Sequence, residues 1–168
     1  IAYAKNEGGY LAMVTKKGSV KKTALADFEN VRRTGIWAIK LKGDDRLAGV
    51  ELSSGQDEII LTTALGQSIR FKEKDIRPMG RAASGVTGIR SKKKEDSVTG
   101  LDIINTRDQK ALAQNKLLVV MANGFGKLTP LSEYRLQSRG GSGIRTAKVT
   151  TKTGELITAN LVSDQKEL

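Results

Sequence analysis

Three copies of one glycine-marked pattern fill this chain of 168 residues, and that repetition limits the possible folds more than any other sequence feature. In each copy an apolar run leads to a glycine turn and a basic segment, and a second glycine follows 17 to 19 residues after the first. The first glycines, Gly18, Gly66 and Gly126, lie 48 and 60 residues apart, and the second, Gly35, Gly85 and Gly143, lie 50 and 58 residues apart. The pattern predicts one domain over residues 1–168 with repeats at approximately 8–56, 57–105 and 116–163, and residues 106–115 as a linker or a single helical turn.

Each repeat has the features of four short strands: the apolar run, the basic strand after the turn, and a final pair joined by a polar turn. Four strands in about 50 residues is the size of a propeller blade, so the predicted fold class is all-β. Because propellers usually contain about 4 to 8 blades, we expect an incomplete disc and a chain that is a piece of something longer. Pro130 predicts that the second strand of the third repeat is short or lies at a sheet edge.

The charge is strongly positive and evenly spread. Lys and Arg number 29 against 18 Asp and Glu, a formal net charge of +11. The excess is +4, +3 and +4 in residues 1–56, 57–115 and 116–168, which predicts a positive perimeter rather than a basic tail. Aromatic residues make up only 4%, too few for a single-strand stacking surface, so duplex DNA held through its phosphates is the favoured partner.

The sequence contains no cysteine and no histidine. That composition excludes Cys/His zinc sites, disulfides, thiol nucleophiles and Ser-His-Asp triads. Adjacent acidic pairs such as Asp44–Asp45 lie in predicted turns and are not placed for acid–base catalysis or Mg²⁺ binding. We therefore expect no catalytic residue, no cofactor and no metal site. Nothing resembles a signal peptide or a membrane span, which favours a cytoplasmic protein without a membrane partner.

Three segments carry a resemblance to a known family: "GSVKKTALADFENVRRTGIWAIKL", "GQSIRFKEKDIRPMGRAASGVTGI" and "GFGKLTPLSEYRLQSRGGSGI". They resemble the C-terminal domain of DNA gyrase A, a relative of the topoisomerase IV C-terminal domain. The resemblance implies a β-pinwheel, a propeller-like disc of four-stranded blades that exchange strands with their neighbours and bind DNA around a positive rim. It also implies a non-catalytic domain of a bacterial type II topoisomerase that wraps or bends DNA and assists supercoiling. The implied partners are double-stranded DNA, the rest of gyrase A and the ATPase (B) polypeptide of the enzyme, at the nucleoid.

One loop resembles the diagnostic motif of that family, the gyrase A box, which reads Q-R-R-G-G-K-G. The nearest match here is Gln137-Ser138-Arg139-Gly140-Gly141-Ser142-Gly143. Serines replace two basic residues of the family pattern, so this is a degenerate copy. The sequence before it resembles an internal blade, and we expect the intact box to lie on a blade outside this chain.

The predicted DNA-binding residues lie around the glycines. They are Lys16, Lys17, Lys21 and Lys22 at the Gly18 turn, Arg70, Lys72 and Lys74 at alternate positions of one strand, Arg32, Arg33, Arg81, Arg90, Arg139 and Arg145 around the second glycines, and Lys127 in the third repeat. Trp37, Phe71 and Tyr134 are expected to pack the blades. Two other functions stay open at this point: a propeller-type protein-interaction module and an enzyme acting at the centre of a propeller.

Overall fold

A computed structural model of the chain describes residues 8–31 and 33–163, except for the side chains of residues 109–111. In these ranges the strands are β1 (Tyr10–Thr15), β2 (Ser19–Ala24), β3 (Leu47–Ser53), β4 (Glu58–Thr63), β5 (Gln67–Lys72), β6 (Val86–Thr87), β7 (Val98–Ile104), β8 (Lys116–Met121), β9 (Gly126–Pro130), β10 (Leu136–Gln137), β11 (Ile144–Arg145) and β12 (Leu156–Val162). The helices are α1 (Gln109–Gln114) and three 3-10 helices, Leu25–Phe28, Glu73–Asp75 and Leu131–Glu133. The fold is all-β, as predicted, and its strands form three separate open sheets.

The first sheet has the strand order β3-β1-β2-β6. Its first three strands come from the first repeat, whereas β6 belongs to the second repeat. Val86 and Thr87 pair antiparallel with Val20 and Ser19 at the free edge of β2. The second repeat therefore donates the strand that completes the first sheet.

The second sheet repeats this exchange. Its own strands have the order β5-β4-β7, and the third repeat adds two short strands along β5. Leu136 pairs with Arg70 in parallel orientation, and Ile144 pairs with Ser68 in antiparallel orientation. The first member of the expected final pair thus crosses to the sheet before it, which is the strand exchange that the family resemblance implied.

The third sheet contains β12, β8 and β9, and no donated strand lies beside β9 in the described part of the chain. β9 is thus an edge strand, and it ends at Pro130. This confirms the prediction made from that proline, whose ring removes the backbone N–H that an inner strand would need.

The tight turns show which glycines correspond. The backbone N–H of Gly18, Gly66 and Gly124 donates to the carbonyl three residues earlier at 2.9, 2.9 and 3.0 Å, and their φ angles are +85°, +80° and +82°. The third turn glycine is therefore Gly124, and the prediction of Gly126 is wrong. Gly126 opens β9 instead. With Gly124, the spacing between the second and third turns equals the spacing between Gly85 and Gly143.

Two hydrophobic clusters form the core. Phe71 is fully buried in the cluster of the first two repeats, with Ile59 and Leu61. Tyr134 is 3% exposed in the cluster of the second and third repeats. The packing roles predicted for these two aromatic residues are confirmed, but the one predicted for Trp37 is wrong, since its side chain is 77% exposed. In the described ranges, no helix has the length and apolar character that crossing a membrane requires.

Candidate nucleic-acid interface

The junction between the first two repeats places a basic residue beside a hairpin turn. The backbone N–H groups of Gly88 and Ile89 donate to the Gly18 carbonyl at 2.8 and 3.3 Å. A Cβ at Gly18 would lie 2.4 Å from the Ile89 carbonyl oxygen, so only glycine permits this approach. The next residue, Arg90, leaves the junction with an exposed side chain.

The junction between the second and third repeats has the same geometry. Thr146 and Ala147 donate to the Gly66 carbonyl at 2.8 and 3.3 Å, and a Cβ at Gly66 would lie 2.3 Å from the Ala147 carbonyl oxygen. Lys148 follows directly and is exposed. Arg90 and Lys148 therefore occupy equivalent positions on neighbouring blades.

The first repeat completes the series with Lys40, which is also exposed. The three cations each stand five residues after a loop glycine, namely Gly35, Gly85 or Gly143. The sequence pattern led to Arg90 but not to Lys40 and Lys148. The signal that could have found them is the register of the second glycine set, which aligns the three positions without any structure.

Several other predicted residues are exposed, and these are Lys16, Lys17, Arg33, Lys72, Lys74, Lys127 and Arg145. The side-chain hydrogen bond from Lys17 lowers the pKa of the Asp44 carboxyl. The prediction that Lys74 lies on the same strand face as Arg70 and Lys72 is wrong. β5 ends at Lys72, and Lys74 lies in a 3-10 helix. Arg32 lies outside the described residues.

The prediction that Lys21 offers its charge at the surface is wrong. Its side chain is fully buried, and Nζ donates to the carbonyls of Ala38, Arg81 and Ala83 at 2.7, 2.8 and 3.2 Å. Desolvation by burial lowers the pKa of this ammonium. Lys21 therefore holds two loops together, one from its own repeat and one from the next.

Lys22 and Arg70 also have internal partners, contrary to prediction. The Lys22 ammonium is buried against Glu73. The Arg70 guanidinium pairs with Glu58 at 2.6 Å and donates to the carbonyls of Leu131 and Tyr134 at 3.1 and 3.2 Å. Both cations connect one repeat to the next. This explains why β2 and β5 carry Lys22 and Arg70 although these two side chains are not fully exposed.

The degenerate box packs against the second sheet. A Cβ at Gly143, where φ is +70°, would lie 2.2 Å from the Ser68 carbonyl oxygen. The Arg139 guanidinium donates from Nε to the Asp75 carbonyl at 2.9 Å and from Nη1 to the Thr87 carbonyl at 3.1 Å. These contacts give the loop a structural role in joining blades, while Arg145 beside it stays exposed.

Acidic groups lie at the strand ends that are opposite to the Gly18 and Gly66 turns. Asp102 on β7 accepts a hydrogen bond from the Leu161 N–H at 3.0 Å and lines a cleft with Glu51 and Asp57. Burial raises the pKa of Asp102 to about 6. In the described part of the chain, no cluster of three or more acidic side chains is arranged to hold a metal ion. The cleft at these strand ends therefore carries three acidic side chains together with Arg107, whereas on the turn side Asp44 is paired with Lys17.

Comparison with known families identifies the strand-exchanging blades. The family model of the DNA gyrase C-terminal domain, described as a beta-propeller, matches residues 9–54, 57–105 and 115–163. This chain belongs to that family. The gyrase resemblance inferred from the sequence is thereby confirmed, together with the β-pinwheel fold that it implied.

Relatives of this gyrase-family chain include the DNA gyrase A polypeptide of Staphylococcus epidermidis, which is 41% identical over 163 residues. That match covers 97% of this chain and 18% of the relative. The DNA gyrase A polypeptide of Staphylococcus aureus is 40% identical with the same coverage. The chain therefore spans less than a fifth of the length of these curated relatives.

Solved structures of related domains share the fold. The crystal structure of the C-terminal domain of DNA topoisomerase IV has a TM-score of 0.85 and 25% identity, covering 98% of this chain and 49% of that one. The structure of the DNA gyrase A C-terminal domain has a TM-score of 0.82 and 24% identity, covering 97% of this chain and 52% of that one. The gyrase-family chain thus corresponds to about half of each solved domain.

Proposed function

We propose that this chain is a non-catalytic DNA-binding region of a bacterial type II topoisomerase, DNA gyrase, and that it bends or wraps duplex DNA. The observation that carries the proposal is the exposed cation that recurs at one position of all three repeats, in Lys40, Arg90 and Lys148. A repeating cation on successive blades suits a ligand whose charge also repeats, and the phosphates of a DNA backbone have that property.

The surrounding chemistry supports duplex rather than single-stranded DNA. Arg90 and Lys148 follow backbone-paired junctions, so each is held at a fixed place on its blade. Among the described aromatic side chains only Trp37 and Phe125 are exposed, which leaves little surface for stacking successive bases. Contacts of this kind position a duplex through its phosphates and carry little sequence preference.

The wider assembly follows from the same proposal. The partners are double-stranded DNA, the remainder of gyrase A and the ATPase polypeptide of the enzyme, and the site of action is the nucleoid in the cytoplasm. The 41% identity to a gyrase A polypeptide favours gyrase over topoisomerase IV, the alternative parent enzyme.

Fluorescence anisotropy of a labelled duplex tests the role of the repeated cations. Arg90→Ala should weaken binding and reduce the slope of log Kd against log salt by about 1, because one phosphate contact releases about 0.9 counterions. Removing Lys40, Arg90 and Lys148 together should reduce the slope by about 3.

Arg107→Ala is the matched control. β7 begins on the side of the Gly18 turn, because the N–H of its first residue, Val98, donates to the Lys16 carbonyl. Arg107 follows the other end of β7 and is exposed like Arg90. The control variant should keep the native slope and affinity. Equal losses in the Arg90 and Arg107 variants, or none in either, would contradict the proposal that the turn side of the blades binds DNA.

A further inference from the structure

Trp37 is an exposed aromatic residue that packing does not explain. It is the sole tryptophan of the sequence, and its side chain is 77% exposed. Together with Lys40, Arg81 and Ala82 it lines a shallow cleft of about 280 Å³. The indole ring therefore shares this cleft with two cationic side chains, one from its own repeat and one from the next.

The exposure of Trp37 is shared by the residues at the same position of the other two repeats. The equivalent residues, two places after Gly85 and Gly143, are Thr87 and Arg145. Both lie in donated strands that are paired to a neighbouring sheet, and both are nevertheless exposed. The side chain at this position is therefore exposed in all three repeats, although only Thr87 and Arg145 lie in strands. Trp37 replaces a small or cationic residue at an outward-facing point.

The buried Lys21 ammonium holds the two sides of the cleft together. The Lys21 ammonium binds the Ala38 carbonyl on the Trp37 side and the Arg81 and Ala83 carbonyls on the other side. The Lys40 N–H also donates to the Ala83 carbonyl at 3.2 Å. Four hydrogen bonds thus fix the separation between the loop that carries Trp37 and the loop that carries Arg81. Lys21 acts as a positioning residue for the cleft.

The charges around the cleft select the chemistry of its ligand. Its lining contains two cations and no acidic residue. In the described ranges, no hydrogen bond or ion pair connects the Arg81 guanidinium to another side chain. An apolar ring that shares a cleft with two cations matches a deoxyribose flanked by two phosphates. A peptide ligand would need acidic groups on both sides of an apolar residue, a rarer pattern than the one that every nucleotide of a DNA strand provides.

We propose that this cleft binds the sugar–phosphate backbone of duplex DNA, with Trp37 packed against a deoxyribose and with Lys40 and Arg81 on the phosphates at either side. The inference rests on the proposed DNA-binding function and adds a contact that the repeated cations alone do not provide. Apolar contact with the sugar adds to the phosphate contacts in fixing where the backbone crosses the first blade.

The single tryptophan allows a direct test on the unmodified chain. A 30-base-pair duplex is added while intrinsic tryptophan emission, its quenching by acrylamide and the anisotropy of the labelled duplex are recorded on matched samples. Trp37 should become shielded from acrylamide with the same midpoint as the anisotropy change, and added salt should reverse both. If the anisotropy shows binding while shielding is absent, the cleft proposal is overturned and the DNA-binding function stands. If neither signal changes, the proposed function itself fails.

Two surface variants complete the test. Trp37→Ser should weaken duplex binding about tenfold, the effect of losing roughly half the apolar contact area of an indole. Ile157→Ser is the matched control, because Ile157 is another large exposed apolar residue, 58% exposed on β12, and does not line the cleft. It should leave the affinity unchanged. Equal affinities for Trp37→Ser and the native chain would overturn the proposal, since a surface substitution leaves the fold intact.

Discussion

Lys22 of β2 and Glu73 of the next repeat form a buried ion pair, with 3.5 Å between Nζ and Oε1 and side-chain exposures of 4% and 0%. The same ammonium donates to the Glu73 carbonyl at 3.3 Å. Arg70 repeats this arrangement on β5, where its guanidinium donates to the Leu131 carbonyl at 3.1 Å. Glu73 and Leu131 each begin the 3-10 helix of their repeat. A cation on the second strand of one blade thus anchors the helix of the following blade.

The first prediction concerns this anchor. Lys22→Met should lower the free energy of unfolding by about 3 kcal/mol, because removing one member of a buried pair leaves the other charge without a counterion. Lys72→Met, at the exposed end of β5, should change it by less than about 0.5 kcal/mol. Urea denaturation of the two variants provides the comparison. Equal midpoints would show that the buried pair does not hold the blades together.

A second prediction follows from the raised pKa of Asp102, about 6 against 3.8 for the free carboxyl. Between these values the folded chain keeps a proton that the unfolded chain has lost, so stability should fall as pH rises from about 4 to 6 and then level off. Asp102→Asn should remove this slope and stabilise the fold at pH 7 by on the order of 1 to 3 kcal/mol.

The pH dependence is measured by urea denaturation at a series of pH values. Asp44→Asn is the control, since the Asp44 side chain is exposed on the turn side and its pKa is lowered rather than raised. That variant should keep the slope of the native chain. An Asp102→Asn variant with the native slope would show that burial of this carboxyl does not govern the acid range.

The third prediction compares two glycines at the same place in different repeats. Gly35 and Gly143 have φ angles of +78° and +70°. A Cβ at Gly35 would meet nothing within 4 Å, whereas a Cβ at Gly143 would lie 2.2 Å from the Ser68 carbonyl oxygen. Gly35→Ala should therefore cost about 1 kcal/mol for the left-handed conformation alone. Gly143→Ala should cost on the order of 3 kcal/mol or more, because the donated strand must move away from β5.

Thermal and urea unfolding of the two alanine variants measure this difference directly. Hydrogen exchange of the Gly143→Ala variant should also show faster exchange in β5, whose edge loses its partner. Equal costs for the two substitutions would mean that the close approach at Gly143 contributes nothing to the joint between the second and third blades.

The sequence was sufficient to predict the architecture because the repeat register is a local property. Glycine positions and apolar runs can be compared along the chain without knowing which strands pair. The donation of β6 and β11 could not be derived from periodicity, since a two-residue strand has no pattern of its own. The exchange entered only through the resemblance to a known family.

The lysines show where prediction of the site fails. Lys16 and Lys21 have similar sequence surroundings, yet one is exposed and the other is fully buried. The burial of Lys21 depends on carbonyls at Arg81 and Ala83, about 60 residues away, which the sequence near Lys21 does not reveal. Trp37 fails for the opposite reason, because a large aromatic residue is usually buried and here is exposed in a segment outside the strands.

The salt dependence of duplex affinity is the decisive measurement for DNA binding by the three blades. Anisotropy titrations at several salt concentrations, on two duplexes of unrelated sequence, give the slope of log Kd against log salt for the native chain. We expect a steep slope, on the order of 8 for about three phosphate contacts per repeat, and nearly equal affinities for the two sequences. A flat salt response would contradict DNA binding by the exposed cations of the three blades.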